Sequence, residues 1–292
     1  MPSPRVTVVI ATYNWAPVLP YAIGSVLDQT FQDFELLVIG DACTDESEAV
    51  VTSIPDPRVR WLNLARNTGH QSGPNNEGLR VARGAIVANL GHDDLWLPRH
   101  LERAVGAVDA GATLAFGRVL TVEGRGIVRV WPREGWQYRP GRWITPSAMA
   151  YRRDVAVEVG GWRGLLADGD VPDDGPGTWT PEGDFCQRVT AGRAEPRALP
   201  YLTCVKFPAF RRRNVYRDRP HHEQEEWLRR IRAAADPETE LARFETDFDA
   251  APLATRAMRS LRYRGGRVWH RVDPRTRAQR VRHTRRHKGL DR

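Results

Sequence analysis

An α/β fold with an open, mostly parallel sheet sandwiched by helices is what this sequence predicts, on three observations. Short apolar runs rich in β-branched residues alternate with amphipathic stretches through the first 110 residues. Each apolar run empties into a polar loop. The chain has 292 residues, 41% of them hydrophobic and 27% charged, which suffices for one large or two modest cores. Such usage argues against wholesale disorder, a collagen-like repeat or a disulfide scaffold.

Val6-Thr7-Val8-Val9-Ile10-Ala11 reads as a buried parallel strand ending in the loop Thr12-Tyr13-Asn14. Val18, Ala22, Val26 and Leu27, with Tyr21 and Ile23, form a helical stripe that stops near Gln29-Thr30. Residues 35–39 supply a second strand, running into Gly40-Asp41-Ala42-Cys43-Thr44-Asp45 and completing a βαβ unit. The alternation predicts a strand over 59–64, a helix over 75–82, a strand over 85–90 and a helix from 98 to about 108. In an open parallel sheet the loops after such strands share one edge, where ligands bind.

Past residue 112 the pattern becomes mixed. Short strands are expected near 113–119 and 126–130, then a helix near 154–159 ending at Gly160-Gly161. Residues 164–187 carry Asp168, Asp170, Asp173, Asp174, Glu182 and Asp184 with no Lys or Arg, and read as a mobile acidic loop. A helix over 221–235 places Glu223, Glu225 and Glu226 early and Arg229, Arg230 and Arg232 late, in keeping with the helix dipole. The chain thus divides into residues 1–205, with halves 1–110 and 111–205, a helical extension over 206–251, and a tail over 252–292.

The formal charge of +8 is unevenly placed. Residues 252–292 hold 14 Lys plus Arg against Asp273 and Asp291, so the first 251 residues are mildly acidic. A nucleic-acid partner is therefore not expected from the whole-chain charge. Leu253, Ala257 and Leu261, with interleaved arginines, give the tail an amphipathic basic stretch suited to an anionic membrane surface; a solvated tail is the alternative. Only Lys206 and Lys288 are lysines, against 42 arginines, which looks like base-composition bias. Cys43, Cys186 and Cys204 lack metal or redox spacing, and the apolar run at the start is too short to span a bilayer. The expected setting is the cytoplasm, with at most peripheral contact at the inner face of the cell membrane.

Four segments at strand ends stand out. They are Ala11-Thr12-Tyr13-Asn14, Gly40-Asp41-Ala42-Cys43-Thr44-Asp45, Asn67-x-Gly69 followed by Asn75-Asn76-x-Gly78, and Gly91-His92-Asp93-Asp94. In this order and spacing the chain resembles the family 2 glycosyltransferases of the GT-A fold, over roughly residues 5–190. The resemblance implies a nucleoside-diphosphate sugar held over the sheet edge, a divalent Mg²⁺ or Mn²⁺ on its diphosphate, and a hydroxyl acceptor. Oxygen-ligated hard cations suit that role.

Asp93 is the first choice for the metal and Asp94 the second; as a pair they equally suit a helix start. The family usually has an acid where this chain has Gly91, which leaves open whether His92 or Asp94 takes over. Asp41 stands at the second acid of an Asp-Asp-x-Ser-x-Asp turn that contacts the base in the family, with Gly40 at the first acid and Cys43 at the Ser. A carboxylate there can accept from an imide N–H, or simply satisfy turn amides. Thr12, Tyr13 and Asn14 would form the neighbouring wall. Asn67 and Asn76 match the family's Asn-x-Gly and Asn-x-Gly elements, with Pro74-Asn75 replacing Ala-Arg, so the arginine the family has near the phosphates is missing, which makes the metal more important or leaves Arg66 to serve.

The family's acidic base is followed six positions on by Arg, a frame that Glu182 and Arg188 fit, with Asp184 in reserve. A carboxylate taking the acceptor proton in the transition state is worth roughly 10²–10⁴-fold. Trp179 could stack on an acceptor sugar or merely pack. The sequence points to an inverting, metal-assisted transferase; the alternatives are a non-catalytic nucleotide-sugar or carbohydrate binder on the same fold and a nucleotidyltransferase.

Overall fold

Val6–Thr12 (β1), Phe34–Gly40 (β2), Val59–Asn63 (β3) and Ile86–Gly91 (β4) are the β-branched runs of the sequence, and in the computed structural model they pair in parallel in the order β3-β2-β1-β4. That model describes residues 3–123, 126–132, 138, 144–164, 180–194, 196–208 and 221–250. The strand order reverses between β1 and β4, and this reversal opens a crevice at their C-terminal ends. β1 and β2 are buried almost throughout because helices cover both faces.

Leu19–Leu27 (α1), Ser47–Thr52 (α2), Ser72–Val81 (α3) and His100–Asp109 (α4) complete the first half. Val6, Val8 and Ile10 point to the layer that holds Ile23, Val26, Leu101 and Val105, and Val9 points to the layer that holds Leu79. The period-two pattern of β1 therefore feeds two cores. A buried acid of this sheet, Glu35, accepts from Thr7 Oγ1 and Arg83 N at 2.8 Å each and from Arg83 Nε at 2.8 Å. Burial alone would raise its pKa, yet these donors hold it below the ordinary value.

Beyond β4 the sheet is mixed. Leu95–Trp96 (β5), Leu114–Glu123 (β6), Gly126–Trp131 (β7), Met149–Arg152 (β8) and Arg197–Lys206 (β9) extend it as β4-β8-β6-β9-β5, with β7 on β6. β6 and β9 are parallel; β8 runs antiparallel to both β4 and β6. Arg153–Glu158 (α5) and Pro181–Thr190 (α6) lie on this half.

Two helices, His222–Ala233 (α7) and Pro237–Ala250 (α8), form the extension. Trp227, Leu228, Ile231 and Leu241 pack on Leu95, Leu97, Val205 and Phe207, so these helices close a third core beside β5 and β9. Among the described residues no helix is long and apolar enough to cross a membrane.

Several sequence expectations change. The acidic stretch is helical from Pro181, because Thr180 caps α6 by accepting from Gly183 N at 3.0 Å. β5 precedes the helix expected from 98, which starts at His100, and β5, β8 and β9 are strands that the sequence pattern did not predict. Asp168, Asp170, Asp173, Asp174, Trp179 and the basic tail lie outside the described residues.

Candidate functional site

At the switch point a cleft of about 510 Å³, counting its open mouth, is lined by Ala11, Thr12 and Tyr13 after β1, Asp41 after β2, His92 after β4, and Asn67, Gly69, His70, Gln71 and Pro74 from the approach to α3. Four of the lining residues expected from sequence alone, Thr12, Tyr13, Asp41 and His92, come from three different strand ends. Parallel pairing alone brings them together, since β1 aligns with both β2 and β4.

Asp41 is nearly buried, and its Oδ1 accepts from Thr68 N at 2.8 Å and Thr68 Oγ1 at 2.9 Å. Asn67 Nδ2 donates to the Asp41 carbonyl at 2.9 Å, while Asn67 Oδ1 accepts from Gly69 N. Asp41 thus satisfies amides of the 67–69 turn, one of the two roles weighed for it, and also lines the cleft. Burial raises its pKa even though Thr68 opposes the shift. Gly69 has φ +75°, the left-handed turn that sends the chain into α3.

His92 is half-buried, stacks on Trp15 with ring centroids 4.7 Å apart, and donates through Nδ1 to the Ala11 carbonyl at 3.1 Å. Burial lowers its pKa, favouring the neutral ring. Thr12 is buried at the cleft wall, with its Oγ1 unpaired.

Three residues expected to bind the nucleotide sugar, Asn14, Asn76 and Asp93, are not among the lining residues. Asn14, at φ +54°, accepts through Oδ1 from Thr44 N at 2.8 Å and Asp45 N at 3.3 Å, and so ties the loop after β1 to the loop after β2. Asn76 donates to the Trp162 carbonyl at 2.8 Å and accepts from Trp162 N at 2.7 Å. Its amide is spent on joining α3 to the Gly160-Gly161 turn. Gly161, at φ +68°, leaves room for it, since a Cβ there would lie 2.5 Å from Asn76 Oδ1.

The two glycines at family acid positions have physical occupants. A Cβ on Gly40 would meet Asn63 Oδ1 at 2.5 Å and Trp61 at 2.7 Å. Asn63 fills that space and bonds Cys43 N at 2.8 Å and the Cys43 carbonyl at 3.0 Å. A Cβ on Gly91 would sit 3.0 Å from Asp94 Oδ2 and 3.1 Å from Ser147 Oγ.

Asp94 differs from the sequence expectation. Its side chain is fully buried and holds three donors: Lys206 Nζ lies 2.6 Å from Oδ2, Ser147 Oγ donates to Oδ2, and Phe207 N donates to Oδ1 at 2.9 Å. An ammonium and two further donors compete with any metal for this carboxylate, which leaves Asp93 the more open of the two. Asp93 is half-buried, and its carboxylate meets no donor from another side chain among the described residues. Burial and the neighbouring Asp94 charge push its pKa up. Its carbonyl accepts from Gln224 of α7 at 3.2 Å, so the extension holds the turn.

Whether a divalent ion fits follows from this donor set. Among the described residues no group of three or more His, Cys, Asp and Glu could enclose a metal. Mg²⁺ and Mn²⁺ commonly use one or two carboxylates plus substrate phosphates and water. Asp93 alone fits an ion that arrives on a diphosphate, and does not fit a metal held by protein alone.

Glu182, on α6, is not among the residues lining the cleft but touches two that are. Gln71 Nε2 donates to Glu182 Oε1, and His70 Nε2 stands 4.0 Å from that oxygen. Both partners line the cleft. Asp184 is paired with Arg188 at 2.7 Å and Arg163 at 3.3 Å, and Arg188 also bonds the Val159 and Gly161 carbonyls at 2.7 and 2.8 Å. Asp184 therefore anchors α6 through its two arginines. Sequence reasoning passed over Thr68, His70 and Gln71, hidden in the variable positions between Asn67 and Asn75. It also passed over Lys206, whose signal was its rarity among 42 arginines.

Residues 7–167 match Glycosyl transferase family 2. The succinoglycan biosynthesis protein ExoO of Rhizobium meliloti (strain 1021) is 40% identical over 127 residues, 42% of this chain and 36% of that protein. The UDP-Glc:alpha-D-GlcNAc-diphosphoundecaprenol beta-1,3-glucosyltransferase WfgD of Escherichia coli is 26% identical over 149 residues, 51% of this chain and 54% of its own. The matched stretch spans about a third to a half of these relatives' lengths. Among solved structures, S. aureus TarS 1-349 in complex with UDP-GlcNAc superposes with TM-score 0.59 at 17% identity, covering 78% of this chain and 66% of that one. The mannosyltransferase PcManGT from Pyrobaculum calidifontis, in complex with GDP-Man and Mn²⁺, gives TM-score 0.53 at 20% identity, covering 92% and 83%. At these identities the likeness is one of fold.

Proposed function

Because the chain belongs to glycosyl transferase family 2, we propose that it moves a sugar from a nucleoside diphosphate to a hydroxyl acceptor, inverting the anomeric centre in one displacement. The observation that carries this reading is the shared cleft: the strand-end wall containing Asp41 and His92 is joined through His70 and Gln71 to Glu182. This contact supports a donor wall set beside a carboxylate that takes the proton.

In this reading Asp41, Thr12 and Tyr13 receive the nucleoside, and Asp93 holds the divalent ion. The ion, when bound, would neutralise the diphosphate and ease its departure. Gln71 fixes one oxygen of Glu182, leaving the other to accept the hydroxyl proton as oxygen bonds to the anomeric carbon and the bond to diphosphate breaks. Holding the acceptor hydroxyl beside both groups supplies orientation as well as proton transfer.

The nucleotide sugars in TarS and PcManGT structures support a nucleotide-sugar donor. WfgD acts on a diphosphoundecaprenol-linked sugar, which supports a lipid-linked acceptor here, in keeping with the basic tail. Isothermal titration with UDP, GDP, CDP and dTDP tests the donor side. Binding of one of them with micromolar affinity, lost in Asp41→Ala, is expected; no binding of any would overturn the reading.

A further inference from the structure

We propose that Lys206 is a diphosphate-binding residue of the donor site, an inference that rests on the transferase reading above. Lys206 ends β9, and its Nζ lies 2.6 Å from Asp94 Oδ2. An ammonium carries three donors. Among the described residues its only acceptor is Asp94, and its side chain keeps 21% of its surface exposed. Two donors are therefore unspent on a group that a buried carboxylate holds in place.

The neighbourhood suits an anion with its own cation. Lys206 grips the side chain next in sequence to Asp93, and His92 of the same turn lines the cleft. Asp94 also accepts from Ser147 Oγ and Phe207 N, so it is held by three donors and fixes the ammonium in place. The departing diphosphate needs fixed positive charge, and the family position that carries arginine is Asn75 in this chain. Asn75 is buried, receives a bond from Asn89 at 3.2 Å, and adds no charge. Lys206 supplies that charge from a different strand.

The bland role, neutralising Asp94, separates cleanly by titrating the full chain with UDP, GDP, CDP and dTDP and with their nucleosides, in EDTA. D94N removes the need for neutralisation and keeps the ammonium; D94N/K206M removes both charges together, which a buried pair tolerates far better than loss of one partner. Relative to D94N, the double variant should bind the preferred nucleoside diphosphate about ten- to a hundredfold more weakly, with nucleoside affinity unchanged. Equal diphosphate affinity in the two variants overturns the role of Lys206 alone. No nucleotide binding by the wild-type chain overturns the transferase reading with it.

A second measurement needs no variant. With only two lysines, Lys288 is an internal reference for reductive methylation followed by mass spectrometry. The diphosphate should slow modification of Lys206 relative to Lys288 and the nucleoside should not; equal rates with both would refute the contact.

Discussion

Lowering the pH should unfold this protein through His100, and replacing that residue with Phe should remove the effect. His100 opens α4, is fully buried, and stacks on Trp96 with ring centroids 4.1 Å apart. Neither ring nitrogen has a hydrogen-bond partner, and burial pushes its pKa down to about 3. The unfolded chain takes up that proton near pH 6.5 while the folded chain does not, so stability falls as pH drops below 6.5 and continues to fall toward 3. At pH 5 the gap between the curves is about 1.5 pH units, or about 2 kcal/mol. His100→Phe keeps the stacking and cannot ionise. Urea unfolding at pH 7.5 and pH 5.0 should show the variant gaining about 2 kcal/mol over wild type between the two. An equal difference at both pH values would refute the reasoning. The site is involved because Trp96 Nε1 donates to the Ser147 carbonyl, directly beneath the Asp93-Asp94 turn.

Three other outcomes are expected. Glu182→Gln should lower kcat roughly 10²–10⁴-fold while nucleotide affinity and Tm stay unchanged, since Gln71 can still donate to the new amide oxygen. Gly40→Asp, which restores the family acid, should cost about 1–3 kcal/mol in urea unfolding, because its Cβ would collide with Asn63 and Trp61. Removing residues 252–292 should lower binding to anionic liposomes in flotation assays and leave transfer to a soluble acceptor intact; unchanged flotation would discard the membrane role of the tail.

The parallel half was legible because β1, β2 and β4 are buried on both faces and so read as unbroken β-branched runs. β9 was not: Arg-Ala-Leu-Pro-Tyr-Leu-Thr-Cys-Val-Lys mixes exposed and buried positions irregularly, and its pairing with β6 shifts register twice. Asp41, His92 and Glu182 could be located from motif spacing. The fates of Asp94, Asp184 and Asn76 could not, since each is decided by a distant partner: Lys206 of β9, Arg163 with Arg188, and the Trp162 backbone. Sequence reports that a carboxylate is present; only the fold reports what already occupies it.

The most direct test of a donor site and a proton acceptor sharing one cleft is release of nucleoside diphosphate. The purified chain is incubated with a panel of nucleotide sugars and Mn²⁺, with and without hydroxyl acceptors including a diphosphate-lipid-linked sugar. The account predicts release from one donor, accelerated by acceptor, with an inverted glycosidic product and loss of acceleration in Glu182→Gln. Release that no acceptor accelerates, or that Glu182→Gln leaves at the wild-type rate, would contradict it.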